Sequence, residues 1–352
     1  MDWAFTEEQE QVAALTRQIL ERELSEERMR SVERSELRFD EPLYRTLSEA
    51  GVLDPSLGFI ELCRVFVELG RAVAPVPAAA SVVAAMAIAR TEGRAGPIGA
   101  TVPTLALSEE LNPDLDAPTT RAVRAGDGFA LTGAKTTVPA GMFADPLVVS
   151  ATLDDGGAAL FAVRRETPGV EVQQQVVTNT DREAILELND VRVPAENHLG
   201  GADALKGVID HFTVALCAVQ LGVCERALEL TAEYAKQRVQ FDRPIATFQA
   251  VGQRLADGYI DVEGIRLTMW QAAWRLAEDV ACDVEIDTAK FWASDAGHRI
   301  AHTAVHIHGG VGIDLDHPLH RYFVAAKRIE FALGAATEHL LGIGRALADE
   351  PA

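Results

Sequence analysis

Helix-forming and strand-forming patterns occupy separate stretches of the 352-residue chain, and this segregation restricts the fold more than any other feature. Apolar residues recur at helical spacing through the N-terminal part, starting at Thr6, whose Thr-x-x-Gln spacing to Gln9 is typical of a capping box. Short strand-like runs follow to about residue 200. Four long helical blocks complete the chain, at about 203–237, 246–278, 284–308 and 320–348. Doubly wound sheets and α/β barrels are excluded, because their strands and helices alternate.

The strand-like stretch contains two hairpin signals. In each of them, two apolar runs flank a turn that contains glycine. The runs and turns are 121–124 and 129–131 around Asp127-Gly128, then 147–152 and 159–163 around Asp155-Gly156-Gly157, and the run 185–193 closes the β segment before Pro194. We therefore predict an α+β protein with an N-terminal helical domain at 1–100, a middle β-barrel or β-sandwich domain at 101–200, and a C-terminal four-helix bundle at 201–352.

The chain carries 32 Lys and Arg against 53 Asp and Glu, which gives a formal net charge of −21. Nucleic-acid binding depends on cationic side chains that displace counterions, so nucleic acid is not an expected partner. Four cysteines without CxxC spacing, and an N-terminus without a basic and apolar leader, indicate a reduced, cytoplasmic setting. Pro75 and Pro77 interrupt the apolar stretch 72–89, and the remaining run of about 12 residues is shorter than the ~20 of a membrane span. We expect a cytoplasmic protein without a membrane span.

One string near the start of the C-terminal helices is far more specific than the rest. It runs Arg238-Val239-Gln240-Phe241-Asp242-Arg243-Pro244-Ile245 and continues with Phe248-Gln249. It resembles the R-x-x-F-x-x-P-I-x-x-F-Q element of the acyl-CoA dehydrogenase family of flavoproteins. Further segments match that family in the expected order: Phe5 to Gln9, Gly133-x-Lys135, Val193 to Asn197 with Leu199-Gly200, and His308 to Gly312. The resemblance covers nearly the whole chain.

This resemblance implies a reaction, a cofactor and an electron acceptor. Enzymes of the family use FAD to introduce an α,β double bond into an acyl-CoA thioester. A glutamate removes the α-proton in a dry pocket while a β-hydride moves to the flavin, and hydrogen-bond donors stabilise the thioester oxygen. The resemblance also implies electron-transfer flavoprotein as the acceptor, and oligomers built around the C-terminal bundles.

The resemblance assigns six residues to an FAD that is shared at a subunit interface: Arg238, Phe241, Gln249, His306, Gly309 and Gly310. Arg238 would pair bidentately with the diphosphate of a neighbour's cofactor. The two glycines would let the backbone approach the adenine end, and His306 stands where the family usually has Gln. Simpler interpretations are a solvated arginine at a helix C-terminus, ordinary packing, surface polarity and a glycine C-cap.

A metal site is an alternative for one group of side chains. His298, His302 and His306 fall at i, i+4 and i+8, and two histidines at i, i+4 can bind zinc when a third ligand is available. The same positions match the family helix that leads into its glycine turn, and that helix binds no metal. We therefore predict no metal site.

The catalytic base of the family has no counterpart at either expected position. Leu333 stands where the family places its glutamate after the glycine turn, and leucine cannot take a proton. Some members place the glutamate in the first bundle helix instead, where this chain has Phe212 followed by Thr213. Asp210, His211 and Glu330 are weak substitutes, because the two carboxylates are displaced by two or three positions and would project elsewhere on their helices.

The sequence also lacks the residues with which the family contacts the flavin ring. Its T-E-P-x-x-G-S-D-like loop is replaced by Leu107-Ser108-Glu109-Glu110 running into Leu111-Asn112-Pro113-Asp114. Its W-I-T string, which hydrogen-bonds the ring, becomes Thr137-Val138-Pro139, and Pro139 has neither an N–H nor a hydroxyl. The losses fall on the ring and the base, whereas the residues that reach a neighbour's cofactor persist.

Three hypotheses follow. The chain is one subunit of a heteromeric acyl-CoA dehydrogenase whose homologous partner supplies the base. Such two-gene enzymes occur in the family among bacterial enzymes that degrade steroid side chains, which indicates a bulky acyl-CoA substrate. Alternatively, it is a self-sufficient homo-oligomeric dehydrogenase with a displaced carboxylate base, or a non-catalytic scaffold that keeps the fold for assembly.

Overall fold

A computed structural model of the chain describes residues 4–92 and 101–349. The ends of two predicted domains, at 1–3, 93–100 and 350–352, lie outside the described residues. The chain divides into two compact units. The bundle unit comprises Met1–Glu21, Gly58–Ala74 and Thr213–Ala352, and the sheet unit comprises Arg22–Leu57 and Pro75–Phe212. The predicted domain boundaries at residues 100 and 200 stay a prediction.

Within residues 4–92, five helices precede the strands, in the region that the periodicity predicted to be helical. They are α1 (Glu7–Glu23), α2 (Glu26–Arg34), α3 (Glu41–Glu49), α4 (Phe59–Ala72) and α5 (Ala78–Glu92). The capping box of α1 is present, because Gln9 N–H donates to the Thr6 hydroxyl at 3.2 Å and Thr6 N–H donates to the Gln9 side chain at 3.0 Å. These two bonds satisfy donors that a helix N-terminus otherwise leaves unpaired.

Eight strands form one mixed sheet. They are β1 (Thr104–Ala106), β2 (Arg121–Ala125), β3 (Gly128–Val138), β4 (Leu147–Leu153), β5 (Ala158–Val163), β6 (Val170–Val176), β7 (Arg182–Val193) and β8 (His198–Gly200). The order is β6-β7-β3-β2-β4-β5-β8, and β1 pairs with β4. Both predicted hairpins, β2–β3 and β4–β5, are antiparallel pairs. The strand region does not close at Val193 as predicted, because β8 returns after Pro194 to pair with β5.

One apolar cluster lies on the sheet and fixes the strand register. Its members include Leu131, Leu147, Phe161 and Leu186, each at most 1% exposed. Shifting a strand by one residue would turn these side chains to the opposite face, which is why the register is well determined.

The remaining α-helices and strands in the described residues are α6 (Ala202–Gln237), β9 (Val239–Gln240), β10 (Arg243–Pro244), α7 (Gln249–Ala277), α8 (Asp283–His308), α9 (Leu319–Phe331) and α10 (Ala336–Asp349). The sequence predicted one helix over 320–348, and this was wrong. Leu333 and Gly334 have φ of +56° and +99°, which no right-handed helix accommodates, so the block breaks into α9 and α10. The order of helical, sheet and helical regions is confirmed.

Helix α6 is long and apolar enough to cross a membrane by length and composition, with a mean hydropathy of 1.6 in its most apolar window. However, 67% of that window is buried inside the protein. No other helix in residues 4–92 and 101–349 meets the same two criteria. This degree of burial is typical of a helix in a protein core.

Candidate cofactor site

A tight hairpin follows α6 and carries the string that the sequence analysis singled out. Strands β9 and β10 pair antiparallel. Phe241 and Asp242, which connect them, have φ of +53° and +62°, as a two-residue type I′ turn requires. Neither is glycine, so the turn holds backbone strain of a kind that clusters at ligand sites. The N–H of Ile245 donates to the carbonyl of Arg238 at 2.8 Å and closes the hairpin on the end of α6.

A cavity of about 560 Å³ lies among the end of α6, this hairpin and the end of α8. Its lining consists of Tyr234, Arg238, Gln240, Ile245, Ile307, His308, Gly309, Gly310, Val311 and Asp314. Arg238 is exposed, and its guanidinium has no ion pair or hydrogen bond within the described residues. Gly309 and Gly310 leave open space where a side chain would project. An unpaired cation beside bare backbone suits a phosphate-bearing ligand.

His308 and Tyr234 form one wall of the cavity. Their rings stack with centroids 4.2 Å apart and an interplanar angle of 21°. His308 is only 4% exposed, and its Nδ1 lies 2.8 Å from the carbonyl oxygen of Ala304 one turn earlier in α8. The Nε2 of His308 is buried and has no partner in the described part of the chain. Because Nε2 has almost no accessible surface, it faces the protein interior, and the two stacked rings give the cavity a flat wall.

The structure brings three of the six predicted cofactor residues together. Arg238, Gly309 and Gly310 line the same cavity although 71 positions separate the first two in sequence. Phe241 lies at the hairpin tip with 85% of its surface exposed. Gln249 is the exposed first residue of α7, and His306 is exposed on α8; neither lines the cavity.

Sequence reasoning missed the wall formed by Tyr234 and His308. Two signals could have indicated it. Tyr234 precedes Arg238 by four residues, one helical turn, so a helix that ends just before Arg238 places the two side by side. His308 is the last residue of α8, directly before the glycines whose role the sequence did indicate.

The candidate substitutes for the catalytic base are engaged in local ion pairs or, for His211, a hydrogen bond to the backbone. In the bundle unit, Glu330 accepts from Lys327 at 2.5 Å and lies 3.2 Å from Nδ1 of His298. In the sheet unit, Asp210 accepts from Lys206 at 2.5 Å. His211 is held by the Gly207 carbonyl at 2.7 Å, and burial lowers its pKa against that hydrogen bond.

The predicted base position itself offers no proton acceptor. The backbone at Leu333 lies in the left-handed region, and the neighbouring groups hold it there. His339 Nε2 lies 3.1 Å from the Leu333 carbonyl, and the buried Lys290 ammonium donates to the Gly334 carbonyl at 2.8 Å. This turn is well supported, but its side chain at position 333 has no acid–base chemistry.

Two of the three spaced histidines on α8 are neighbours, with ring centroids of His298 and His302 4.3 Å apart. Lys327 places its ammonium 2.9 Å from Nδ1 of His298, where a metal ion would be repelled. Within the described ranges, no group of three or more His, Cys, Asp or Glu is arranged to hold a metal ion.

Strand β3 is irregular where the sequence departs from the family's ring-binding string. Its register with β7 shifts between Lys135 and Val138, so a bulge removes Thr137 from the ladder. Thr137 has a φ of +49°, which is rare for a β-branched residue. Its N–H donates to the side-chain oxygen of Gln175 at 2.7 Å, and the Thr136 hydroxyl donates to the same oxygen at 3.1 Å. The N–H of Thr137 is therefore already hydrogen-bonded within the chain.

A buried ion pair lies beneath that edge. The Lys135 ammonium donates to Glu109 at 2.7 Å, and the two side chains are 0% and 3% exposed. Glu109 also accepts from the N–H and hydroxyl groups of Thr119 and Thr120 at 2.5–2.8 Å. Burial opposes ionisation of Glu109, but the bonds from Lys135 and Thr119 outweigh it and hold its pKa well below the usual range. The loop that contains Glu109, which replaces the family's flavin loop, is thus bonded to the buried Lys135 of β3.

The chain is similar to proteins of one class over its whole length. The profile of the acyl-CoA dehydrogenase C-terminal domain matches residues 200–348. The acyl-CoA dehydrogenase FadE27 of Mycobacterium tuberculosis is 45% identical, and the alignment covers all of both chains. The chain belongs to the acyl-CoA dehydrogenase family, whose members are FAD-binding oxidoreductases.

Two solved structures are especially similar. A chain of the ChsE4–ChsE5 complex from Mycobacterium tuberculosis superposes with a TM-score of 0.94 at 45% identity, with both chains covered completely. A chain of the Tcur3481–Tcur3483 steroid acyl-CoA dehydrogenase, G363A variant, gives a TM-score of 0.92 at 41% identity, covering 97% of this chain and 98% of that one. Both are heteromeric assemblies, and the second is described as a steroid enzyme.

Proposed function

We propose that this chain is the subunit of a heteromeric FAD-dependent acyl-CoA dehydrogenase that supplies cofactor contacts, while a homologous partner supplies the catalytic base. The observation that carries the proposal is the combination of an unpaired Arg238 in a nucleotide-sized cavity with a base position occupied by Leu333. The enzyme would introduce an α,β double bond into an acyl-CoA thioester. The heteromeric neighbours support this division of labour.

The chain's residues fit one end of FAD and not the other. The cavity offers Arg238 to a diphosphate, and Gly309 and Gly310 allow close backbone approach. At the ring end, the N–H of Thr137 is bonded to Gln175, and Pro139 has no N–H to donate. When bound, FAD accepts the hydride; this chain's contribution is to hold the nucleotide end of a cofactor whose ring lies in the partner.

The proposed substrate is the coenzyme A thioester of a bulky, steroid-derived acyl chain, because a neighbour at 41% identity is a steroid acyl-CoA dehydrogenase. Electron-transfer flavoprotein remains the proposed acceptor. A cytoplasmic location remains proposed as well. All four cysteines are buried and free, which suits a reducing compartment.

A flavin spectrum tests the proposal against its two alternatives. The chain purified alone should be colourless, and it should turn yellow when it is co-expressed with a base-bearing homologue. A yellow homo-oligomer would instead support a self-sufficient dehydrogenase. Absence of colour with every homologous partner would support the third hypothesis, a non-catalytic scaffold of the same fold.

Replacing Arg238 should weaken cofactor binding without unfolding the protein. In the assembled enzyme, we expect Arg238→Ala to lower FAD affinity by more than about tenfold, since a charge-assisted hydrogen bond contributes roughly 1.5–3 kcal/mol. Flavin absorbance after dialysis measures the loss. Arg243→Ala is the matched control, because Arg243 belongs to the same hairpin but stacks on Phe248 and does not line the cavity. Equal flavin retention by both variants would remove Arg238 from the site.

The chain should not persist as a monomer. Large apolar side chains lie exposed on the hairpin and beyond α8, among them Phe241 (85%), Ile313 (68%) and Leu315 (74%). A protein interface would remove such side chains from water. We expect self-association or pairing with a homologue that buries well above ~1,600 Å² in total. A folded species of 37.9 kDa in sedimentation at micromolar concentration would contradict this expectation.

A further inference from the structure

We propose that Leu111 and the acidic side chains that flank it form a docking site for a homologous subunit, which covers the site with an arginine-bearing turn like the β9–β10 hairpin. The docking site lies in the sheet unit, on the loop between β1 and β2. The proposal rests on the heteromeric assembly proposed above. It gives a task to the loop that replaces the family's flavin loop.

Leu111 combines two unfavourable features. Its surface is 96% exposed, and its backbone has a φ of +60°. It is the third residue of the turn that begins at Glu109, where the N–H of Asn112 lies 3.5 Å from the Glu109 carbonyl oxygen. A positive φ at the third position of a turn favours Gly, and a left-handed backbone is unfavourable for any other L-residue. A side chain so exposed makes little contact that could compensate, and backbone strain of this kind clusters at functional sites.

The turn that carries Leu111 is held in place from below. Buried Glu109 accepts from the Lys135 ammonium at 2.7 Å. The Asn112 side chain donates to Glu109 at 3.1 Å and to the Ala117 carbonyl at 3.0 Å. The loop therefore presents Leu111 in one position before any partner arrives. Such preorganisation lowers the entropy lost on binding.

The charge around Leu111 decides what can cover it. Residues 101–120 contain four Asp and Glu and no Lys or Arg. Glu109 is paired inside the protein, whereas Glu110, Asp114 and Asp116 are exposed beside Leu111 in sequence. An apolar anchor with an anionic rim fits a surface that is apolar at its centre and cationic at its edge. A second copy of this chain is disfavoured, because two molecules of net charge −21 repel each other.

The β9–β10 hairpin shows how a subunit of this fold presents such a surface. Its tip exposes 85% of Phe241, and Arg238 has no ion pair or hydrogen bond within the described residues. A homologous subunit with the same element would bring an aromatic ring and a guanidinium together. The ring would contact Leu111, and the guanidinium would pair with Glu110 or Asp114. These carboxylates would then stand where Arg238, in the proposed function, meets a diphosphate.

Replacing Leu111 should have opposite effects on the isolated chain and on the complex. Leu111→Gly removes the strain, so the midpoint of thermal unfolding of the isolated chain should rise by about 1–3 °C. In the complex with the base-bearing homologue, the same variant should raise the Kd at least about tenfold, since a buried leucine is lost. Leu111→Asn, which also tolerates a left-handed backbone, should weaken the complex similarly. Val123→Thr is the matched control, because Val123 is an exposed apolar residue of the same unit on a regular strand.

The anionic rim is tested by removing two charges. Glu110→Gln combined with Asp114→Asn should slow association and reduce its dependence on salt, because the cationic partner surface is then attracted less strongly. Asp127→Asn combined with Glu171→Gln removes the same charge from exposed positions elsewhere in the sheet unit and should change neither. Hydrogen exchange of the peptide around Leu111 should also slow when the partner binds.

Four outcomes would overturn the inference. A heteromer that forms with the same Kd for Leu111→Gly and the unaltered chain removes the docking site but leaves the proposed function intact. Destabilisation of the isolated chain by Leu111→Gly removes the argument from strain. Self-association that Leu111→Gly abolishes makes a second copy the occupant. If no base-bearing homologue binds the chain, the proposed heteromer and the inference fail together.

Discussion

Purified alone, the chain should dehydrogenate acyl-CoA thioesters at least about 10²–10⁴-fold more slowly than when it is assembled with a base-bearing homologue, because that is the usual contribution of a positioned general base. Leu333 cannot accept the α-proton, and the displaced carboxylates Glu330 and Asp210 are already paired with Lys327 and Lys206. The measurement is turnover of a steroid-derived acyl-CoA with an artificial electron acceptor, with and without the partner.

Two substitutions sharpen this prediction. Glu330→Gln and Asp210→Asn should leave the activity of the assembled enzyme within a few-fold, since the proposed function places the base in the partner. Robust turnover by the isolated chain that either substitution abolishes would contradict the prediction and establish a displaced base.

Replacing Lys135 by Met should destabilise the sheet unit by about 3–5 kcal/mol, because removal of one partner leaves a buried charge uncompensated. The Lys135 and Glu109 side chains are 0% and 3% exposed, so water cannot replace the lost ammonium. Hydrogen exchange of peptides from β3 and β4 reports the loss directly. Their protected amides should exchange roughly 10²–10⁴-fold faster if they open with the whole unit.

An exposed pair in the same unit provides the matched control. Arg192 and Asp190 also lie 2.7 Å apart, but their side chains are 62% and 67% exposed. Arg192→Met should change stability by at most about 1 kcal/mol, since solvent screens such pairs. Similar exchange rates in the two variants would mean that Lys135 and Glu109 do not hold the eroded loop together.

The sequence predicted those parts of the fold that depend on local pattern. The capping box at Thr6, both hairpins and the first three bundle helices were visible because spacing and turn chemistry act over a few residues. The break between α9 and α10 was not visible, because Leu333 is an unusual residue for a left-handed backbone and Ala332 to Ala335 contain only one glycine. Contacts from His339 and Lys290 stabilise that turn. Lys290 is distant in sequence, and both contacts form only when the chain folds.

In the candidate site, too, the sequence indicated some residues, while others depended on contacts between distant segments. Arg238 and the glycine turn were predicted from a resemblance, whereas the wall formed by Tyr234 and His308 required the packing of α6 against the end of α8. The bond between Gln175 and Thr137 was also inaccessible to sequence reasoning. It spans from β6 across β7 to β3 and depends on a bulge that no local pattern signals.

The hairpin of β9 and β10 has a consequence for how a cell must make this protein. A newly synthesised copy that finds no partner displays Phe241 at the tip and Leu315 beyond α8 to the surrounding solution. Side chains of this kind are what chaperones and proteases recognise on incomplete proteins. For the proposed heteromer, matched synthesis of the two subunits would keep such orphan copies rare. Excess of this chain alone would be cleared or would aggregate, so the level of the partner would set the amount of enzyme.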